Sequence, residues 1–304
     1  MSIFVELPPA RYCATAFAAF DPAAGFSVGN ARALMWFSQL AYETGKPATI
    51  DLIAPGWGFA KVAVFVKRKI AANAVCATCG LIGERPDAVV LAFSGTDPVV
   101  WQMHATNLNI RLSQDCDTHS GFKAAMEAAQ GEIERAVELC RGGGKPLFVA
   151  GHSLGAALAV LAAQQADRLG LTPRGVYVYG MPRVGGARFR DDYNARLGDI
   201  TYRLVHGDDI VTRVPFSGIG FRHVGRMLAC TSGEKFAASA PLSDHGCDAP
   251  QLADPHRRFV NGIRGLFVGE AALPQPGGLQ GLARAFPKPF RDHLQDRYFG
   301  ALAE

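Results

Sequence analysis

Pro146-Leu147-Phe148-Val149-Ala150-Gly151-His152-Ser153-Leu154-Gly155 runs directly into Ala156-Ala157-Leu158-Ala159-Val160-Leu161-Ala162-Ala163. The segment from Pro146 to Ala150 is apolar without interruption and has the length of a strand buried on both faces. Ser153 to Gly170 is rich in alanine, the pattern of a helix that packs closely on a sheet. Between the two lies Gly-x-Ser-x-Gly. A serine on a sharp strand-to-helix turn holds its hydroxyl above the sheet, and the flanking glycines leave room for the tight backbone. The first turn of the helix adds partial positive charge and free N–H groups where an oxyanion would form.

The same alternation continues on both sides. Ala88–Phe93 is a continuous apolar run that ends in Ser94-Gly95-Thr96, a buried strand feeding a loop, and Lys61–Lys67 is a strand bounded by charges. Gly175–Tyr179 and Ile200–Val205 supply further strands, and Ala187–Leu197 fits a helix between them. Helical spacing of apolar residues marks Phe26–Tyr42. It also marks Gly121–Arg141, where Phe122, Ala125, Met126, Ala129, Ile133, Val137 and Cys140 share one face before Gly142-Gly143-Gly144 stops the helix. After Pro215 the pattern loosens to a strand at Gly220–Leu228, a helix at Pro255–Leu266 and a Gly- and Pro-rich loop at Ala271–Phe290. Strands alternating with helices argue an α/β fold with a mainly parallel sheet and helices on both faces. No composition shift cuts the chain, so residues 1–304 are expected to form one domain.

With 304 residues, the chain is long enough to bury a large core without disulfides or metals. It is 49% hydrophobic and 19% charged, which excludes disordered and coiled-coil classes. The net charge of +4 comes without any dense Lys/Arg block, so nucleic acid is not an expected partner. There are seven cysteines, an odd number. Cys76-Ala-Thr-Cys79 has the spacing of half a zinc site, but no second pair completes it; the two are read as small residues near a loop, and no metal is expected. No stretch is long and apolar enough for a membrane span. Glu6 and Arg11 interrupt any signal-like apolar start, and with the cysteine usage this leads to the expectation of a cytoplasmic protein.

A serine becomes a nucleophile only when a base takes its proton and a carboxylate orients that base. In hydrolases of this architecture the chain order is Ser, then Asp or Glu, then His. Asp208 and Asp209 follow the apolar strand Ile200–Val205, where a strand's carboxyl end presents a functional loop. Four histidines lie beyond them. His223 sits in a strand-like stretch and His256 in the first turn of a helix; His245 in a loop and His293 after the long Gly/Pro loop compete as the base.

Phe93-Ser-Gly-Thr96, Trp101, Thr118-His-Ser-Gly-Phe122, Gly151-His-Ser-Leu-Gly155, Tyr179-Gly-Met-Pro-Arg-Val-Gly185, His206-Gly-Asp-Asp-Ile-Val211 with Val214-Pro215, Phe221-Arg-His-Val-Gly225, and Asp292-His293 with Tyr298 follow one another in register. In these motifs the chain, over about residues 26–299, resembles the class 3 lipase family, the α/β-hydrolases similar to fungal triacylglycerol lipases. The resemblance implies an α/β-hydrolase fold, Ser153 as nucleophile, Asp209 as the triad acid before its Ile-Val pair, and His293 as base. It implies oxyanion donors at Leu154 and Thr96. It also matches Asp97–Ile110 to a lid, with Val99, Val100, Trp101, Met103 and Leu108 placed to shield the serine or touch lipid; packing as ordinary core is the alternative for these residues. His119 resembles a family position beside the following helix and is read as structural. The chain departs from the family pattern at Ser94, where many members carry Arg, and at Val100, where an acid often precedes the tryptophan.

The expected function is a serine hydrolase that cleaves carboxylic esters of lipids, of acylglycerol type, without a cofactor. The substrate would be a lipid or small ester, met in solution or at a lipid interface. Phospholipase or thioesterase activity fits the same chemistry. A different class, a non-catalytic scaffold that binds an apolar ligand or partner, remains the alternative.

Overall fold

The computed structural model describes residues 6–71, 74–95, 118, 120–215, 217–248 and 288–303. Within them, seven strands form one sheet in chain order: β1 (Lys61–Ala71), β2 (Ala74–Glu84), β3 (Val89–Phe93), β4 (Leu147–His152), β5 (Gly175–Tyr179), β6 (Thr201–His206) and β7 (Arg226–Cys230). β1 and β2 form an antiparallel hairpin, β2 pairs antiparallel with β3, and β3 to β7 are parallel throughout.

This sequential order dictates the layers. Right-handed crossovers that always step in the same direction put their helices on one face. Accordingly α3 (Ser120–Gly143), α4 (Leu154–Arg168) and α5 (Ala187–Leu197) bury Ala129, Ile133, Val137, Ala156, Ala159, Ala163, Phe189 and Leu197 against Val89, Leu91, Val149, Val176 and Val178. The other face, holding Val90, Ala92, Phe148, Ala150, Tyr177 and Tyr179, is covered by segments from both ends of the chain. These are the stretch around Tyr12–Phe20, α1 (Val28–Leu40) and α7 (Gln295–Ala301). Neighbouring strand residues thus alternate between two buried layers, and both must be apolar. A short helix, α2 (Pro47–Ile53), follows α1, and α6 (Lys288–Arg291) precedes α7.

Local sequence accounts for the element ends. Ser27 caps α1 by accepting the Asn30 N–H at 3.0 Å. In α4 the alanines at 156, 157, 159, 162 and 163 are all fully buried, so the helix axis lies close to the sheet.

Several expectations shift. Cys76 and Cys79 both lie on β2, Cys76 near its start and Cys79 well inside it, because the Ala74–Glu84 run pairs along its whole length with β1. β1 is four residues longer than its apolar alternation suggested. His223 precedes β7 rather than sitting inside it. The helix expected at Pro255–Leu266, with His256, and most of the Ala271–Phe290 loop lie outside the described residues. Among the described residues, no helix is long and apolar enough to cross a membrane.

Candidate active site

The carboxyl ends of β4, β5 and β6 open side by side, and each delivers one part of the site. β4 ends at His152, and Ser153 follows in a left-handed backbone conformation, φ 60° and ψ −129°. It is the non-glycine residue with positive φ among the described residues, and such strain persists only where the surroundings impose it. They do: the Ser153 N–H donates to the Tyr179 carbonyl at 2.9 Å, while Gly151 and Gly155 are so crowded that added methyl groups would lie 2.2 Å from the carbonyl oxygens of Gly155 and Phe93. α4 begins at Leu154, whose N–H belongs to the helix turn that lacks internal acceptors.

After β6 comes the loop that carries Asp209, which is fully buried. Its Oδ1 accepts the Val211 N–H at 2.8 Å and its backbone carbonyl accepts the Thr212 hydroxyl at 2.8 Å. His223 donates from Nε2 to the Thr212 carbonyl at 2.7 Å, so it braces this loop from behind. His293 lies between α6 and α7. Its Nδ1 is 2.9 Å from Asp209 Oδ2, and its Nε2 is 2.8 Å from Ser153 Oγ. A carboxylate only accepts, so Nδ1 carries the hydrogen and Nε2 is left to accept the serine proton. Tyr298, from α7, donates its hydroxyl to the same Oδ2. Burial alone would raise the Asp209 carboxyl, but the His293 ring and the donors of His293, Tyr298 and Val211 hold it below the ordinary carboxylate range.

A second imidazole backs the first. His152 stacks on His293, ring centroids 4.6 Å apart and planes at 27°. Its Nε2 donates to the His293 carbonyl at 2.8 Å, which leaves Nδ1 to accept the Tyr42 hydroxyl at 3.0 Å. Burial, with the neighbouring His293, pushes its pKa down to about 3, so this ring stays neutral. Sequence reading passed over Tyr42 and His152 as functional groups. The signal available was a polar residue, His152, ending an otherwise apolar buried run.

Asp208, the other acid candidate, faces Lys288 instead, 3.0 Å from its Nζ. His245, the competing base, pairs with Asp199 at 2.9 Å. Asp199 precedes β6 whereas Asp209 follows it, so His245 stands about 20 Å away, the length of that strand. Thr96, His119 and the lid positions Val99, Val100, Trp101, Met103 and Leu108 lie outside the described residues. Gly95 is described, and a methyl group there would lie 3.0 Å from Ser153 Cβ, so the β3 loop approaches the serine closely.

An oriented carboxylate, an imidazole and a hydroxyl in a line form a proton relay suited to nucleophilic attack by Ser153 Oγ. Comparison with known proteins agrees with such chemistry. Residues 90–218 match the family described as Lipase (class 3), which bears out the resemblance. The chain is 38% identical over 134 residues to secreted mono- and diacylglycerol lipase 1 of Fusarium solani, covering 43% of this chain and 37% of that protein. It is 33% identical over 150 residues to secreted mono- and diacylglycerol lipase A of Penicillium cyclopium, covering 48% of each. It therefore spans less than half the length of these curated relatives. Among solved structures, Rhizomucor miehei triacylglyceride lipase superposes with a TM-score of 0.57 at 17% identity, over 78% of this chain and 91% of that one, which shows the α/β-hydrolase fold.

These relatives correct the expected cytoplasmic location, since the matched fungal lipases are named as secreted. Cysteine usage misled because a core of this size needs no disulfide in any compartment. Cys13, Cys79, Cys140, Cys230 and Cys247 are all free.

Proposed function

We propose, from the class 3 lipase match over residues 90–218 and the geometry above, that the protein is a serine hydrolase of carboxylic esters acting on acylglycerol-type lipids. The observation that carries this reading is the His293 ring, held 2.9 Å from Asp209 and 2.8 Å from Ser153. His293 Nε2 takes the Ser153 proton as Oγ attacks the acyl carbonyl. The oxyanion forms beside the Leu154 N–H, with Thr96 as second donor, and collapses to the acyl-enzyme as the imidazolium protonates the leaving alkoxide. Water, deprotonated by the same nitrogen, then releases the carboxylic acid. Asp209 keeps Nδ1 protonated and stabilises the imidazolium. The acylglycerol preference is supported by the names of the fungal relatives, and an extracellular setting goes with it.

The test is Ser153→Ala assayed on a p-nitrophenyl ester, with fluorophosphonate labelling of the wild type. We expect stoichiometric labelling at Ser153 and a fall in kcat of about 10⁴-fold or more in the variant. An unlabelled serine in folded protein would favour the non-catalytic scaffold.

A further inference from the structure

A second buried carboxylate lies beside the first and takes no part in the relay. Asp292, directly before His293, is 3% exposed. Its Oδ2 accepts the Asp208 N–H at 2.9 Å and the Lys288 ammonium at 2.9 Å, and its Oδ1 accepts the Ser232 hydroxyl at 2.8 Å. His206 Nδ1 stands 3.8 Å from the same Oδ1 and has no hydrogen-bond partner among the described residues. Lys288 also reaches Asp208 Oδ2 at 3.0 Å. On the other side of Asp209, the Ile210 N–H donates to the Pro289 carbonyl at 3.2 Å.

The acid loop is thus gripped on both flanks of Asp209, at Asp208 and at Ile210, by the turn that ends in His293. One grip is a backbone pair; the other is the Asp292 side chain. Burial would push this carboxyl up, yet the Asp208 N–H, Lys288 and Ser232 hold it below the ordinary range, so it is ionised at neutral pH. Charge-assisted bonds to a buried carboxylate are the strong and geometrically demanding ones. Ser232, in the chain that leaves β7, brings a third segment into the same clamp.

We propose that Asp292 is a positioning residue, whose contacts with Asp208, Lys288 and Ser232 lock the His293 turn onto the Asp209 loop and so set the spacing of the relay. This rests on the hydrolytic reading of Ser153, Asp209 and His293. The clamp acts on geometry rather than on substrate binding, because Asp292 points at protein groups and lies behind the base. Its loss should therefore lower kcat and leave KM nearly unchanged.

The full chain is compared with Asp292→Ala and Asp292→Asn. The readouts are kcat and KM on p-nitrophenyl butyrate, the rate of fluorophosphonate labelling, and the thermal midpoint. For Asp292→Ala we expect kcat and labelling rate to fall together by about 100-fold, the cost of a relay displaced by about 1 Å, with KM within about twofold. Asp292→Asn keeps the size and an oxygen for the Asp208 N–H; it should recover about tenfold of that loss. A folded Asp292 variant with wild-type kcat and labelling overturns the proposal and leaves the triad standing. A wild-type protein that the probe does not label overturns both. If neither Asp292 variant folds, Lys288→Met at an exposed ammonium decides: a fall in kcat of about threefold or more is expected, and none refutes the clamp.

Discussion

The Tyr298 hydroxyl lies 2.5 Å from Asp209 Oδ2, the same oxygen that faces His293 Nδ1 at 2.9 Å. One carboxylate oxygen therefore serves two donors, and Oδ1 is taken by the Val211 N–H. Asp209 is fixed in position, and the imidazole bonds to an oxygen that cannot swing away. Tyr298→Phe keeps the ring in the core and removes only the hydroxyl. Stability should fall by about 2 kcal/mol, as for a lost bond to a buried charge. On a soluble ester kcat/KM should fall by about tenfold, since the acid gains freedom to rotate. Denaturant unfolding and initial rates check the two effects separately.

Gly180 follows β5 at φ +57°, and a methyl group there would lie 2.7 Å from Asp209 Oδ2 and 2.8 Å from His293 Nδ1. Gly180→Ala would drive a carbon into the acid–base hydrogen bond. Fluorophosphonate labelling of Ser153 should slow by about 100-fold or more. The strain of a left-handed alanine adds about 1 kcal/mol of destabilisation, too little to unfold the domain.

Acid should weaken the fold through His152. Its pKa is pushed down to about 3 in the folded state by burial and by His293, against about 6.5 when unfolded. Between those values the unfolded chain binds the extra proton, so stability is full above about pH 6.5 and is lost as pH falls towards 3. The limiting slope for this one group is about 1.4 kcal/mol per pH unit. His223, held low by burial and by Arg203 and Arg183, acts in the same direction. Urea unfolding of His152→Gln between pH 7.5 and 4.5 should show a shallower loss than wild type. Parallel curves would mean that His152 carries its proton in the fold.

His245→Ala should leave ester hydrolysis unchanged within about twofold. The side chain pairs with Asp199 at the far end of β6 from the relay. A fall in kcat of about tenfold or more on the soluble ester would mean that this imidazole reaches the site.

Much of this protein is legible along the chain. The apolar runs at β3, β4 and β5 are strands because both faces of a covered parallel sheet must exclude water, and that requirement shows as uninterrupted hydrophobicity. The face Phe122–Cys140 of α3 and the alanines of α4 are buried as their spacing implies. The β1–β2 hairpin is only half legible in the sequence. The pairing of Ala74–Glu84 with Lys61–Ala71 depends on a neighbour in space, and its run of Ala, Cys, Thr and Gly carries no strong periodicity of its own.

The site divides in the same way. The turn at Ser153 is a local event, written in two glycines and the switch from strand to helix, and could be located without coordinates. The choice of His293 over His245, and of Asp209 over Asp208, rested on resemblance rather than on spacing along the chain. Folding separates those pairs. His245 and Asp208 end against Asp199 and Lys288, while His293 and Asp209 meet across 84 residues of chain. His152 shows in the chain as a polar end to an apolar run, and Asp292 and Tyr298 as parts of a motif, but which groups these residues and Tyr42 bond to is not written in their spacing. Hydrogen bonds are decided by distances of a few tenths of an ångström between groups far apart in the chain, and packing of the two layers on the sheet sets those distances.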